Sequence, residues 1–408
     1  MKRRRKKQAG CLTYILILLV IICVGSAAAT IFLLREDSRR AQLKKAIVET
    51  VSKQEIPYQD IQETVVSEAQ KYYYGKLGEE ERRAYLEILQ GVYENQEEIY
   101  VHSSNATRTN EIFHYVLKDS PDIFWCDGTT TTTAYAGKEP YTVLEPVYLC
   151  DSKVRGEKQM VIDAAVDKCL EGISVNASEY DKILYVYEYI VNTVEYDIES
   201  EDNQNIYSVF GNQRSVCAGY AKATQYLLEE LGVFCTYVTG TVEGGQPHAW
   251  NLVLCGENYY YVDTTWGDPV FQDQEGEAQE RSYISYDYMC CSDEELFKTH
   301  TPDTDVELPR CTKMDHNYYV VNGMYYSHYD EQEALQAMDK VIRDGGESVV
   351  LKYADSYAYE RAKEDIFDNV LEQAAHNLAD LYGLEEVSYS YIDDARLNKI
   401  VIYWNYNA

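Results

Sequence analysis

The longest apolar stretch of the chain lies close to its first residue. Residues 11–34 contain no charged side chain, and they follow the basic run Lys2 to Lys7. A helix of this length can cross the roughly 30 Å hydrocarbon core of a bilayer, and basic residues favour its cytoplasmic side. The pattern predicts a cytoplasmic tail at 1–10, a transmembrane helix at 11–34 and an extracellular remainder. A cleaved signal peptide, and hence secretion, is the alternative, because small residues stand at Ala27 to Ala29.

Amphipathic helical spacing marks much of the chain after this segment. Apolar residues recur every three to four positions, which predicts helices at 39–55, 63–74, 79–96, 158–173 and 179–194. Between the third and the fourth of these, β-branched residues at 129–133 and 141–149 predict strands. We therefore expect a mainly helical accessory region at 35–155, whose first helix leads away from the membrane.

The pattern changes again after Pro309. Short tyrosine-rich runs predict extended segments, and more regular elements follow: extended segments at 318–321 and 324–327, a helix at 331–342, a strand at 348–353, a long helix at 358–382 and a hairpin through Tyr389 and Ile400. These elements predict an α+β accessory domain at 313–408, which is a common domain size. The whole chain of 408 residues exceeds what one hydrophobic core usually serves.

Composition narrows the class of protein. The net charge of −31 argues against nucleic acid as a partner, and the 46% apolar content excludes a disordered chain. Forty tyrosines suit domain interfaces and shallow grooves, although ordinary amphipathic packing also explains them. The sequence lacks Cys-x-x-Cys, His-Glu-x-x-His and clustered histidines, so we expect neither a metal nor another cofactor.

The cysteines leave two interpretations open. Two of the eleven, Cys11 and Cys23, fall in the apolar segment, which leaves nine in the rest of the chain. These can form disulfides in an oxidising compartment or remain as buried free thiols. Their connectivity cannot be derived from their spacing.

A candidate nucleophile stands at the start of a well-marked helix. Ser215 is a candidate N-cap and Gly232 is a C-terminal stop, so Cys217 falls in the first turn. The free amides and the dipole of that turn favour an anion, and therefore the reactive thiolate. The small residues Ala218 and Gly219 leave room either for a substrate backbone or for close helix packing.

A histidine and a carboxylate fall on the two arms of a predicted hairpin. Residues 247–254 and 259–263 have extended patterns, and a turn is expected near Cys255–Gly256. In that register, His248 and Asp263 are directly opposite each other on one face of the antiparallel pair. A carboxylate beside an imidazole fixes its tautomer and stabilises its protonated form. A thiol that faces such a pair is the arrangement that cysteine acyl transfer needs.

Three short motifs carry a family resemblance. Val216–Ala221, His248–Asn251 and Asp263–Trp266, in this order and spacing, resemble the core of the transglutaminase-like superfamily. Asp293–Glu295 and Thr299–His300 resemble, more loosely, the end of that domain in bacterial members.

The resemblance implies a fold and a set of roles. The fold is an α+β, papain-like core at 156–312, in which the helix bearing the cysteine packs on an antiparallel sheet bearing the histidine and the aspartate. By the same resemblance Cys217 attacks an amide carbonyl, His248 acts as general base and then as acid, and Asp263 orients His248. Trp250, Trp266 and Tyr220 are candidate oxyanion donors, for which a structural role is the alternative; His300 is expected to support the domain edge.

Together these features predict a membrane-anchored, extracytoplasmic cysteine enzyme of a bacterial cell surface. It would transfer or hydrolyse peptide or glutaminyl amides through a thioester at Cys217, and its substrates would be surface proteins or cell-wall peptides. The alternative is a noncatalytic surface module that uses the same fold to bind a partner. A thiol protein that handles disulfides fits less well, because no resolving cysteine stands near Cys217.

Overall fold

The structure is a computed structural model that describes residues 49–50, 56–68, 71–268 and 284–406. These residues separate into two compact units. The first combines the described residues up to Val116 with Gly128–Tyr148, and the second combines Leu117–Asp127 with the residues from Leu149 onwards.

The first unit contains a four-stranded sheet and a set of helices. Its strands follow the order β1-β3-β4-β2, with bounds β1 (Glu49–Thr50), β2 (Ile99–Val101), β3 (Cys126–Ala136) and β4 (Tyr141–Tyr148). The helices are α1 (Glu63–Glu68), α2 (Tyr72–Gly75), α3 (Glu79–Tyr93) and α4 (Ala106–Asp119). A Cβ added at Gly91 of α3 would lie 2.6 Å from the Ile99 side chain, so the missing side chain lets α3 pack closely on β2.

The second unit is built around a five-stranded antiparallel sheet in the order β10-β9-β8-β7-β11. The strands are β7 (Cys235–Val242), β8 (Pro247–Cys255), β9 (Asn258–Val262), β10 (Met289–Cys291) and β11 (His300–Pro302). Ahead of the sheet come α5 (Ser152–Leu170), α6 (Glu179–Thr193), a parallel pair of two-residue strands, β5 (Glu195–Tyr196) and β6 (Arg214–Ser215), a π-helical turn (Ser208–Asn212) and α7 (Cys217–Glu230). Helix α7 packs on β7 and β8, and α6 packs on α7.

The end of the chain forms a second sheet within this unit. Its strand order is β12-β13-β15-β14, with bounds β12 (Tyr325–Tyr326), β13 (Ser348–Tyr353), β14 (Ser388–Asp394) and β15 (Lys399–Asn405). The associated helices are α8 (Asp293–Leu296), α9 (Tyr318–Val321), α10 (Glu331–Arg343), α11 (Ser356–Asp365) and α12 (Leu371–Tyr382), with a π-helical segment (Ile366–Val370) joining the last two. Helices α10, α11 and α12 bury their apolar faces against β13 and β15.

Most predicted elements are present, and the exceptions have local reasons. Residues 318–321, predicted to be extended, form the helical turn α9, because the Asn317 side chain caps its first turn by accepting from Tyr319 N at 3.1 Å. The predicted helix at 39–55 lies largely outside the described residues, and its described part, Glu49–Thr50, is strand β1. Strand β2 and helix α4 were not predicted.

Among the residues that the structure describes, no helix combines the length and the apolar character needed to cross a membrane. The predicted transmembrane helix at 11–34 and the basic tail before it lie outside the described residues.

Candidate active site

Cys217 is the first residue of α7, which confirms the prediction that it lies in the first turn of this helix. The N-cap is Val216, whose carbonyl oxygen accepts from the N–H of Gly219 at 2.9 Å and of Tyr220 at 3.1 Å. The prediction of Ser215 as the N-cap is wrong. Ser215 instead belongs to strand β6, because it is paired with Tyr196 of β5. Its hydroxyl donates to Asn203 O at 3.0 Å.

Gly219 serves packing at the helix start. A Cβ at this position would lie 1.9 Å from the Ser215 Oγ and 3.1 Å from Asn205 O. The absent side chain therefore lets the first turn of α7 lie directly on the loop before it. At the other end, Gly232 has a φ of 74° and terminates the helix as the sequence predicts.

The hairpin that carries the histidine and the aspartate has a different register from the predicted one. Leu252 pairs with Tyr261 and Cys255 pairs with Asn258, so the turn is Gly256–Glu257 rather than Cys255–Gly256. Gly256 occupies the left-handed region with a φ of 62°, which fixes the turn there. The pairing is shifted by two residues from the predicted register. Since side chains alternate with a period of two, the His248 and Asp263 side chains still lie on the same face.

His248 and Asp263 are therefore diagonal neighbours that form a direct contact. The His248 Nε2 atom lies 2.7 Å from Asp263 Oδ2, and both residues are buried. The other carboxylate oxygen, Oδ1, accepts from the backbone N–H of Thr265 at 2.9 Å and of Trp266 at 3.1 Å. These two amides belong to the turn after β9, and they fix the plane of the carboxylate.

The thiol and the imidazole are neighbours. Cys217 is partly exposed and packs against the apolar cluster of Ala221, Tyr237 and Ala249. Burial opposes a charge on His248, but Asp263 and a hydrogen bond with Cys217 raise the pKa of His248 to about 10. Burial also works against a charge on Asp263, yet its histidine partners hold the pKa of that carboxyl well below its usual value. The site therefore favours a protonated His248 beside the Asp263 carboxylate.

A second histidine, whose place in the site the sequence did not reveal, joins this group. His300 Nε2 lies 3.0 Å from Asp263 Oδ2, the oxygen that His248 also contacts. The expectation that it only supports the domain edge is incomplete: β11 is an edge strand, but it pairs with β7 and brings His300 into the site.

Aromatic rings enclose the two histidines, and two of the three candidate oxyanion donors, Trp250 and Trp266, are among these rings. The ring centroid of His300 lies 5.1 Å from that of Trp250 and 4.9 Å from that of Trp266. Trp250 is fully buried, which fits a structural role. The Tyr220 hydroxyl lies 2.7 Å from Asp268 Oδ2 and 2.8 Å from Val194 O, so it has no free proton for an oxyanion.

One group of side chains has the composition of a metal site. The ligating atoms of His248, Asp263 and His300 lie within 4.8 Å of one another. Both Nε2 atoms are already within hydrogen-bonding distance of the same carboxylate oxygen, so an ion here would replace the contacts that orient His248.

The nine cysteines of the described residues are all free thiols. Seven are buried, and two, Cys150 and Cys217, are partly exposed. Burial is the largest cause of the raised pKa of two buried thiols, which is about 11 for Cys169 and about 12 for Cys255. Of the two alternatives that the sequence left open, buried free thiols describe this part of the chain.

A sequence-family model and two curated proteins match part of the chain. A sequence model described as the transglutaminase-like superfamily matches residues 168–264, which include the three predicted site residues. The kyphoscoliosis peptidases of Mus musculus and Homo sapiens are 25% and 26% identical over 126 residues, covering 27% of this chain and 19% of theirs. The chain thus spans about a fifth of the length of these curated relatives.

Two solved structures resemble the chain at low identity. One is described as a TGase; it has 13% identity and a TM-score of 0.26, with 46% of this chain and 54% of that one covered. The other, from Cytophaga hutchinsonii, is named as a candidate cysteine protease; it has 17% identity and a TM-score of 0.23, with coverages of 34% and 62%.

Proposed function

Residues 168–264 belong to the transglutaminase-like superfamily, and from this premise we propose that the chain is a cysteine enzyme that transfers or hydrolyses peptide or glutaminyl amides. The observation that carries the proposal is the contact chain Cys217–His248–Asp263, in which a partly exposed thiol at a helix start faces a buried imidazole–carboxylate pair. A binding surface has no need of that chain of contacts.

The first half of the reaction forms a thioester. His248 binds Asp263 through Nε2, so Nδ1 is the atom that takes the proton from the Cys217 thiol. The thiolate attacks the carbonyl carbon of the amide, and the tetrahedral oxyanion lies near the first-turn amides of α7. The C–N bond then breaks as the His248 imidazolium gives its proton to the leaving amine or ammonia.

The second half releases the acyl group. Water or a primary amine enters, and His248 Nδ1 removes its proton while the new bond to the carbonyl carbon forms. The C–S bond breaks, and the thiolate–imidazolium pair returns. Asp263 keeps its charge throughout, because its role is to hold the imidazole and to stabilise its protonated form.

We also propose that the enzyme acts outside the cytoplasm, on surface proteins or cell-wall peptides, and is anchored through residues 11–34. The apolar segment after a basic run supports this location. Protease treatment of intact cells expressing the full chain tests it: digestion of the catalytic region supports the proposal, and protection until the cells are lysed contradicts it. Mass spectrometry of the first residues of the recovered protein distinguishes an anchor from a cleaved signal peptide.

The activated thiol is tested by the pH dependence of iodoacetamide labelling, with the sites mapped by mass spectrometry. We expect Cys217 to react rapidly at pH values where an ordinary thiol, with a pKa of about 8.5, is protonated. His248→Ala should slow this reaction at least tenfold, whereas His328→Ala, at an exposed histidine, should not. The buried cysteines provide slow internal references. Slow labelling of Cys217 that is indifferent to His248 would favour the noncatalytic binding module.

The acceptor is tested with casein and a fluorescent primary amine. Covalent incorporation of the amine, lost in Cys217→Ser, indicates acyl transfer to amines. Ammonia release or peptide cleavage without incorporation indicates water as the acceptor. If neither occurs with a labelled, activated Cys217, a narrower substrate class is required, and a library of glutamine-containing and cell-wall peptides is the next set of probes.

A further inference from the structure

His300, the first residue of β11, contacts the carboxylate of Asp263. The His300 side chain is fully buried, and its Nε2 lies 3.0 Å from Asp263 Oδ2. The same oxygen lies 2.7 Å from His248 Nε2. A carboxylate oxygen has no proton to give, so both imidazoles donate to it.

The far side of the His300 ring is held by a short polar chain. Thr299 Oγ1 lies 2.7 Å from His300 Nδ1, and Tyr288 OH lies 2.8 Å from Thr299 Oγ1. When a neutral His300 ring donates from Nε2 to Asp263, its Nδ1 is an acceptor. The Thr299 hydroxyl then donates to Nδ1 at 2.7 Å rather than to Leu296 O at 3.3 Å, and the Tyr288 hydroxyl donates to Thr299. All four residues are buried, so each bond of the chain is shielded from water.

The Asp263 carboxylate thereby accepts two hydrogen bonds on each of its oxygens. Asp263 accepts from two imidazoles on Oδ2 and from two backbone amides on Oδ1. Without His300, one of these positions would be empty in a pocket lined by Trp250, Trp266 and Tyr288. A buried carboxylate with a missing partner either rotates or takes up a proton, and both changes release His248.

We propose that His300 is a positioning residue for the reaction: by donating to the oxygen that it shares with His248, it keeps Asp263 ionised and oriented, and so aims His248 at Cys217. This inference rests on the proposed function, because it assigns a role within the same site. The polar contacts of His300 given above are with Thr299 and Asp263, so it is assigned a role that acts through Asp263.

Other titratable groups that face this carboxylate must be held constant in a test. These groups are Tyr187 on α6, Tyr196 on β5, Cys217 on α7, His248 on β8, Tyr288 in the turn before β10, and Cys291 on β10. Burial raises the pKa of the tyrosines among them, Tyr196 to about 12, so below neutral pH they stay protonated.

The test compares His300→Leu, which removes the donor, with His300→Gln, whose Nε2 can donate from nearly the same place. The readout is the iodoacetamide rate at Cys217 against pH, with thermal unfolding measured in parallel. We expect His300→Leu to lower the labelling rate about tenfold at neutral pH. The acid limb, which is the pH range where the rate falls on acidification, should move up by about one pH unit, because Asp263 takes up a proton more easily. His300→Gln should keep both the rate and the limb near those of the unmodified protein.

A second pair leaves His300 in place. Thr299→Val removes the hydroxyl that donates to His300 Nδ1, whereas Thr299→Ser keeps it. The valine variant alone should therefore lower the labelling rate, by about threefold, and move the acid limb upward by less than His300→Leu does. This pair decides the question if His300→Leu fails to fold.

The outcomes separate this inference from the proposed function. Slow, His248-independent labelling in the unmodified protein overturns both. Fast labelling that depends on His248, but is equal in the leucine and glutamine variants, overturns only the role of His300. Equal loss of thermal stability in both variants with an unchanged acid limb also overturns it, since that result describes a residue that merely fills space.

Discussion

At the scale of single residues, the geometry of the site depends on one carboxylate. Asp263 is 1% exposed and accepts four hydrogen bonds, two from imidazoles and two from backbone amides. Since each of these donors favours the ionised form, the carboxyl remains charged despite its burial. The charge in turn favours a proton on His248.

This pair makes stability depend on pH in a defined window. The pKa of His248 is raised from 6.5 to about 10, so its contribution is complete below about pH 6.5 and is lost as the pH rises through about 10. The pKa of Asp263 is lowered from 3.8, so its contribution is present above that value and is lost as the pH falls below it.

Urea unfolding of the unmodified protein and of His248→Gln at a series of pH values measures the first effect. The difference in unfolding free energy should be largest near about pH 6 and should shrink towards about pH 10. The exposed His328→Gln serves as the matched control and should show no such trend. A difference that stays constant with pH would show that the His248 proton does not contribute.

At the scale of elements, two close approaches bring the site together. Gly219 lets the start of α7 lie on Ser215, and Gly240 of β7 stands opposite both His248 on β8 and Pro302 on β11. A Cβ at Gly240 would lie 2.2 Å from Thr301 O and 2.7 Å from the Trp250 ring. The edge strand that carries His300 therefore needs a residue without a side chain at this position.

Gly240→Ala should displace β11, lower the unfolding free energy by about 1–3 kcal/mol and slow the labelling of Cys217. Denaturant unfolding and the alkylation rate measure the two effects. The control is Gly156→Ala in α5, where nothing lies within 4 Å of the added carbon. That change should stabilise the protein by about 0.5–1 kcal/mol. Equal effects of the two substitutions would contradict the steric argument.

At the scale of the whole molecule, buried ion pairs tie the C-terminal sheet to the sheet of the site within the second unit. Lys352 of β13 contacts Glu295 at 2.6 Å, and Lys399 of β15 contacts Asp287. The Tyr319 hydroxyl also donates to Asp287 at 3.1 Å. The predicted boundary between residues 312 and 313 stays a prediction, and these contacts indicate that a fragment ending there would leave buried carboxylates without partners.

Lys399→Met tests this dependence. Burial raises the pKa of Asp287, but Lys399 and Lys352 hold it below its usual value, so losing Lys399 leaves a buried charge with one fewer partner. We expect the unfolding free energy to fall by about 3–5 kcal/mol at neutral pH. The double variant Lys399→Met with Asp287→Asn should recover much of that loss, as measured by urea unfolding. No loss in the single variant would show that the pair is not part of the cooperative unit.

The sequence by itself predicted the residues of the candidate site and determined most of its supporting elements. The motifs at Cys217, His248 and Asp263 could be found because each lies in a short segment with its own helix or strand signals. The common face of His248 and Asp263 followed from the alternation of side chains, which survives a register error of two residues.

Only the tertiary structure decided which partners meet. In the structure the N-cap of α7 is Val216 and not Ser215, and the Tyr220 hydroxyl donates to Asp268. His300 contacts Asp263, although 37 positions separate the two residues in the sequence. These outcomes depend on the order of strands in a sheet and on contacts between distant segments. Periodicity and local capping signals extend over only a few residues, so they fix which elements form and which faces are buried, whereas the packing of those elements fixes which side chains touch.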